Sequence, residues 1–101
     1  MNVRILSSAY RDLEKGRRFY ARHGEDVGRY FLSSLFADID SLVLYAGIHR
    51  RVFGFHGLLA KRFPFAVYYQ FNHEKNVVVY RVLDCRRDPE RIQAALTRSA
   101  K

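Results

Sequence analysis

Residues 61–89, KRFPFAVYYQFNHEKNVVVYRVLDCRRDP, decide the fold. Two apolar runs, residues 65–72 and 77–84, are rich in aromatic and β-branched side chains and flank the polar segment His73-Glu74-Lys75-Asn76. They read as an antiparallel hairpin. Asn76 is the turn residue expected at positive φ, which its short polar side chain tolerates. Register sets which side chains share a face, because a slip of one residue exchanges the two faces. Pairing Asn72 with Val77 places Tyr68 opposite Arg81 and Tyr69 opposite Tyr80. One face then carries Phe65, Val67, Tyr69, Phe71, Val78, Tyr80 and Val82 and is expected to pack on helices. The other carries Ala66, Tyr68, Gln70 and Arg81 and is expected to stay open to a partner.

Downstream, Asp88 and Pro89 are a helix start, a capping carboxylate followed by a residue with helical φ. Ile92, Ala95 and Leu96 give that helix an apolar side, and the tail beyond Thr97 is expected to fray. Upstream, Leu58 to Phe63 reads as a strand ended by Pro64, and residues 47–57 as irregular chain or a weak edge strand. At the N-terminus Asn2 to Leu6 reads as a strand, and Ser7-Ser8 offers hydroxyls for a helix cap. Ala9, Leu13, Gly16 and Tyr20 then recur at spacings of four, three and four, one face of a helix ended by His23-Gly24. Gly16 on that face fits either a close helix approach or simple tolerance. A second helix runs from Glu25 to about Ala46, before Gly47, with Val27, Phe31, Leu35, Ile39, Leu42 and Ala46 as its stripe. The order β-α-α-β-β-β-α, without repeat or linker, predicts one α+β domain over residues 1–101. A mostly antiparallel sheet would pack against an N-terminal helical hairpin.

A chain of 101 residues with 49% hydrophobic content can bury a core. The lone Cys85 excludes an internal disulfide, and His23, His49, His56 and Cys85 with His73 show no metal-ligand spacing, so neither metal nor cofactor is expected. No apolar run is long enough to cross a membrane and the N-terminal one is too short for a signal peptide, so the expected location is the cytoplasm. The net charge is +8. Residues 1–50 hold eight Lys/Arg against six Asp/Glu, and residues 51–101 hold ten against four, so the excess belongs to the C-terminal half. It suits phosphate backbones or an acidic protein.

The segment FPFAVYYQF, the polar turn and VVVYRVLDCRRDPE, in this order of elements, resemble the RelE/ParE superfamily of bacterial type II toxin-antitoxin toxins. The resemblance implies a small toxin of a plasmid-stabilisation type, held in a hetero-oligomer by a cognate acidic antitoxin. ParE-like members of the superfamily poison DNA gyrase, and RelE-like members cleave mRNA at the ribosome. Asp84 stands where relatives often carry His, and no Tyr or His follows Tyr80. Cleavage through the 2′-hydroxyl needs a base, a donor to the leaving oxygen and cations for the phosphorane. Lys61, Arg62, Arg81 and Arg86 would supply the cations of a nuclease, but an ordinary Lys or Arg is protonated at neutral pH and is a poor base. The expected activity is therefore gyrase inhibition without catalysis. An mRNA endonuclease is the alternative, and a non-toxic binding protein of the same fold is the third reading.

The expected working surface for target or antitoxin is Tyr68, Arg81, Arg86 and Arg87. Against it stand plainer roles: a solvated turn for Arg86-Arg87, a pair with Asp84 for Arg81, and core packing for Tyr69, with Tyr68 open between stacking and core. His49 and His56 are candidate replacement bases. Cys85 beside Arg86 has either a lowered thiol pKa or a packing role. Phe53 and Phe55 are core, or part of an antitoxin groove.

Overall fold

The computed structural model describes residues 2–99. The elements are β1 (Val3–Ile5), α1 (Ser7–Ala21), α2 (Glu25–Asp40), α3 (Leu42–Tyr45), β2 (Arg51–Val52), β3 (Phe55–Leu59), β4 (Phe65–Phe71), β5 (Val77–Asp84) and α4 (Pro89–Ser99). They form an α+β fold around one five-stranded sheet of order β1-β5-β4-β3-β2. Only β1 lies parallel to its neighbour β5.

The hairpin of β4 and β5 forms as expected from Phe65↔Asp84 to Tyr68↔Arg81, and then the register changes. Tyr69 faces Val79, and Phe71 faces Val77, so Tyr80 is the extra residue of a β-bulge. The expected faces are corrected accordingly. Val77 and Val79, in place of Val78 and Tyr80, join Phe65, Val67, Tyr69 and Val82 against Ala9 and Leu13 of α1 and Phe31, Leu35 and Ile39 of α2. The opposite face is not open either. Ile92, Ala95 and Leu96 of α4 cover Phe55, Ala66, Tyr68 and Leu83 there, and Tyr80 packs against this second core.

Other boundaries move for local reasons. The second helix breaks at Ser41, whose hydroxyl donates to the Asp38 carbonyl at 2.6 Å and competes with the backbone ladder. The third strand lies upstream of Leu58 to Phe63, at Phe55–Leu59. Its start is set by Phe53 (φ 52°) and Gly54 (φ 85°), consecutive left-handed residues that make a tight hairpin turn with Val52 opposite Phe55. In the β4–β5 turn Lys75, not Asn76, takes positive φ (65°). The Asn72 side chain there accepts from the Glu74 and Asn76 amides at 2.9 and 3.0 Å. Asp88 does begin α4, its carboxylate accepting from the Glu90 amide at 3.1 Å, and the helix continues past Thr97 to Ser99.

α1 and α2 pack as an antiparallel pair. Phe31 lies at their centre, its ring 5.2, 5.1 and 5.0 Å from those of Tyr20, Phe63 and Phe65. It occupies the space a side chain at Gly16 would need, since a Cβ built there falls 2.5 Å from Cε2 of Phe31. Close approach, rather than tolerance, accounts for this glycine.

Candidate interaction surface

β1 pairs with only the first three residues of β5. Beyond them α1 takes over the uncovered edge. The Ser8 hydroxyl donates to the Tyr80 carbonyl at 2.6 Å, and the Asp12 carboxylate accepts from the Val82 amide at 2.9 Å. Four helical residues rise about 6 Å, and two strand residues span about 6.6 Å. A helix alongside a strand can therefore meet every second residue with every fourth. Ser8 does not cap the helix, where Leu6 holds the N-cap position without a side-chain bond.

Asp12 also receives Arg81 in a two-pronged ion pair, with Nε at 2.7 Å and Nη2 at 2.8 Å. Nη1 of Arg81 reaches the Ala95 carbonyl at 3.4 Å and the Ser99 hydroxyl at 3.3 Å, so one guanidinium ties α1, β5 and α4 together. Hydrogen bonding to Asp12 raises the Arg81 pKa above its ordinary value. Arg81 is thus turned inward, and its carboxylate partner is Asp12 rather than Asp84. Asp84 pairs instead with Arg86, at 3.0 Å from Nε and 2.7 Å from Nη2, and the Arg86 hydrogen bond holds its carboxyl below the usual range. Tyr68 is 4% exposed beneath α4, where burial pushes its hydroxyl pKa up. Arg86 is exposed and Arg87 half-buried at the turn. Lys61 and Arg62 lie exposed in the β3–β4 connection, the Lys61 amide donating to Asp38 at 3.2 Å. Desolvation, then the Asp84 carboxylate, pushes the Cys85 thiol pKa up, the reverse of the lowering expected from Arg86.

Between α1 and the end of β5 lies a hollow of about 400 Å³, lined by Lys15, Gly16, Phe19, Phe65, Val82, Arg86 and Arg87 among others. Lys15 also lines a second hollow with Arg11 and Arg18, and a third with Arg87, Arg91 and Arg98. The three adjoin through that lysine. Arg86 and Arg87, singled out from the sequence, therefore belong to a larger basic surface on α1, the β5–α4 turn and α4. Arg11, Lys15, Arg18, Arg91 and Arg98 were not singled out. Arg11, Lys15 and Arg18 follow each other at spacings of four and three along one side of α1, and Arg91 and Arg98 lie seven apart along one side of α4, with Arg87 in the turn before it. Those stripes were the available signal.

A sequence model of the family described as "ParE toxin of type II toxin-antitoxin system, parDE" matches residues 3–89. The chain belongs to the ParE toxin family. A chain of the solved chromosomal ParDE TA system from P. aeruginosa has the same fold, with a TM-score of 0.74 and 21% identity over 81% of this chain and 92% of that one. No curated protein matches this sequence.

In this ParE-family fold the two candidate bases are occupied elsewhere. Tyr69 is fully buried, and its hydroxyl oxygen accepts from the Gly47 amide at 2.8 Å and lies 2.5 Å from Nδ1 of His49. With the Gly47 amide donating to that oxygen, the Tyr69 hydroxyl donates its own hydrogen bond to Nδ1 of a neutral His49 that carries its proton on Nε2. His56 stacks on the Tyr69 ring at 5.1 Å, and its Nδ1 donates to the His49 carbonyl at 3.0 Å. The pair pins the loop between α3 and β2 to the sheet.

Burial, with a smaller effect from His56, lowers the His49 pKa below 6.5. Folding therefore favours the neutral ring. Its contribution is fully present above the unfolded value and is lost as pH falls through the folded one. We expect the urea midpoint to fall between about pH 7 and pH 5, with a shallower fall in His49→Gln. Equal slopes in the two proteins would remove His49 as the cause.

Proposed function

We propose that this ParE-family toxin acts in the cytoplasm by binding DNA gyrase and blocking it, without catalysis of its own, and that a cognate acidic antitoxin neutralises it in a hetero-oligomer, as in a plasmid-stabilisation module. The family match and the kinship to a solved ParDE system support the pairing with an antitoxin. The observation that carries the mode of action is the state of the cations and bases proposed for a nuclease. Arg81 is turned inward onto Asp12, and the candidate bases His49 and His56 are engaged by the Tyr69 hydroxyl and the His49 carbonyl, while Lys61, Arg62 and Arg86 stay exposed. Within the proposed contact surface Arg86 and Arg87 meet the partner, while Arg81 and Tyr68 hold α4 and the turn from beneath.

The test uses purified protein in gyrase supercoiling and ribosome-programmed mRNA cleavage assays. Supercoiling should stop, recover on addition of the antitoxin, and leave mRNA intact. Arg86→Ala combined with Arg87→Ala should weaken inhibition about tenfold or more while the thermal unfolding curve stays in place, since exposed ion pairs contribute little to stability. Cleaved mRNA with normal supercoiling would replace this reading with the endonuclease one. Harmless expression without the antitoxin would leave only the non-toxic binding protein.

A further inference from the structure

We propose that the basic surface shared by α1, the β5–α4 turn and α4 binds the phosphate backbone of duplex DNA directly. Its centre is Lys15, which lines all three adjoining hollows. Arg11, Lys15, Arg87, Arg91 and Arg98 form no ion pair among the described residues. Three of the nearby carboxylates are already engaged by cations. Asp12 holds Arg81 and the Val82 amide, Asp84 holds Arg86, and Glu14 faces Arg17 at 2.7 Å and Arg18 at 3.7 Å. Glu90 sits at the outer flank of α4, beside Arg98. Cations outnumber carboxylates on this surface, where Asp88, which accepts from the Glu90 amide at 3.1 Å, and Glu90 are the exposed carboxylates at the α4 end.

Its construction favours a polyanion over an acidic helix. A docked helix needs apolar anchors at intervals of three and four residues; here apolar lining is confined to the hollow at Phe19, Phe65 and Val82, and the hollows around Arg11 and Arg18 and around Arg91 and Arg98 are lined by charged or small side chains. Single strands are held by stacking bases on aromatic rings. Of the aromatics lining these hollows only Phe19 is substantially exposed, which leaves the duplex backbone as the fitting occupant. Arginine predominates, and its planar fork matches phosphate oxygens. The Asp12–Arg81 clamp also fixes the two helices relative to each other, so the cations are held in place before any ligand arrives. The choice of DNA over RNA rests on the gyrase reading above, because gyrase works on duplex DNA.

Fluorescence anisotropy of the purified toxin, without gyrase, on labelled duplex DNA of about 20 base pairs tests the inference. Two unrelated sequences should bind alike, with an affinity that falls steeply with salt. Lys15→Glu with Arg91→Glu should weaken binding at least tenfold and make the log-log salt dependence shallower by about one for each phosphate that is no longer neutralised. Arg51→Glu with Lys75→Glu changes the net charge equally but lies on β2 and the β4–β5 turn, and should have little effect. Circular dichroism confirms that both variants fold. Equal weakening in the two double variants, absent binding at low salt, or tighter binding to a duplex RNA or to an acidic peptide would each overturn the proposal. Gyrase inhibition by a purified toxin that shows no DNA binding of its own would sink this inference alone. DNA binding by a protein that leaves gyrase active would sink only the target assignment.

Discussion

Asp12→Ala lowers the free energy of unfolding by about 3–5 kcal/mol, the cost of stripping one partner from a buried ion pair. Asp12 is 7% exposed and the Arg81 side chain 16%, so the stranded guanidinium has little water to turn to. The Val82 amide loses its acceptor at the same time. For a domain of this size the melting temperature falls by roughly 15 °C or more. Replacing both partners is less costly than the sum: Asp12→Ala with Arg81→Met removes the uncompensated charge and leaves mainly the orphaned amide. Urea titrations of the two single variants and the double variant form a cycle that measures the coupling. A coupling near zero would show that the pair contributes no more than a surface contact. Removing the clamp also frees α4, so hydrogen exchange should accelerate along α4 more than along α2.

Phe31→Ala has a comparable expected effect, about 3–5 kcal/mol, because a fully buried ring leaves a cavity that its neighbours fill only in part. The informative variant is Gly16→Ala. In the native background a Cβ falls 2.5 Å from Cε2 of the Phe31 ring, and overpacking costs about 1–3 kcal/mol. The gain of about 1 kcal/mol in helix propensity does not offset that. In the Phe31→Ala background the ring is gone, and the same substitution becomes stabilising. A change of sign between the two backgrounds, read from urea midpoints, identifies direct contact. The same sign in both would mean that Gly16 is held by something other than Phe31.

The hairpin, its flanking helix start and the helical hairpin were legible because each rests on local chemistry: alternation, turn residues and a helical stripe. The bulge was not. Val78, Val79 and Tyr80 are all compatible with burial, so composition offers no mark of where one extra residue enters the strand, and a single insertion inverts the faces beyond it. Arg81 was readable as a charge needing a partner, but its carboxylate lies 69 residues away on α1, a distance that no local pattern spans. The apolar side of α4 was visible in Ile92, Ala95 and Leu96. That it covers Tyr68 follows only from tertiary packing, and so the expected open face was wrong. At the candidate surface Arg86 and Arg87 stood out as a dibasic pair, whereas nothing in the local pattern set Lys15 apart. Its neighbours across the hollow come from the other end of the chain.

The N-terminal strand has a further consequence for how the protein comes into being. Val3 to Ile5 find their partners in Val77 to Val79, and Ser8 and Asp12 find theirs in Tyr80 and Val82. On a ribosome β1 must wait for β5, made some seventy residues later, with the apolar stripes of α1 and α2 already in water and no sheet to receive them. Closing so long a loop is entropically costly and slow compared with local helix formation. The order of synthesis therefore delays the completed surface until β5 and α4 have emerged, and any molecule that recognises the unfinished helical hairpin has first access to it.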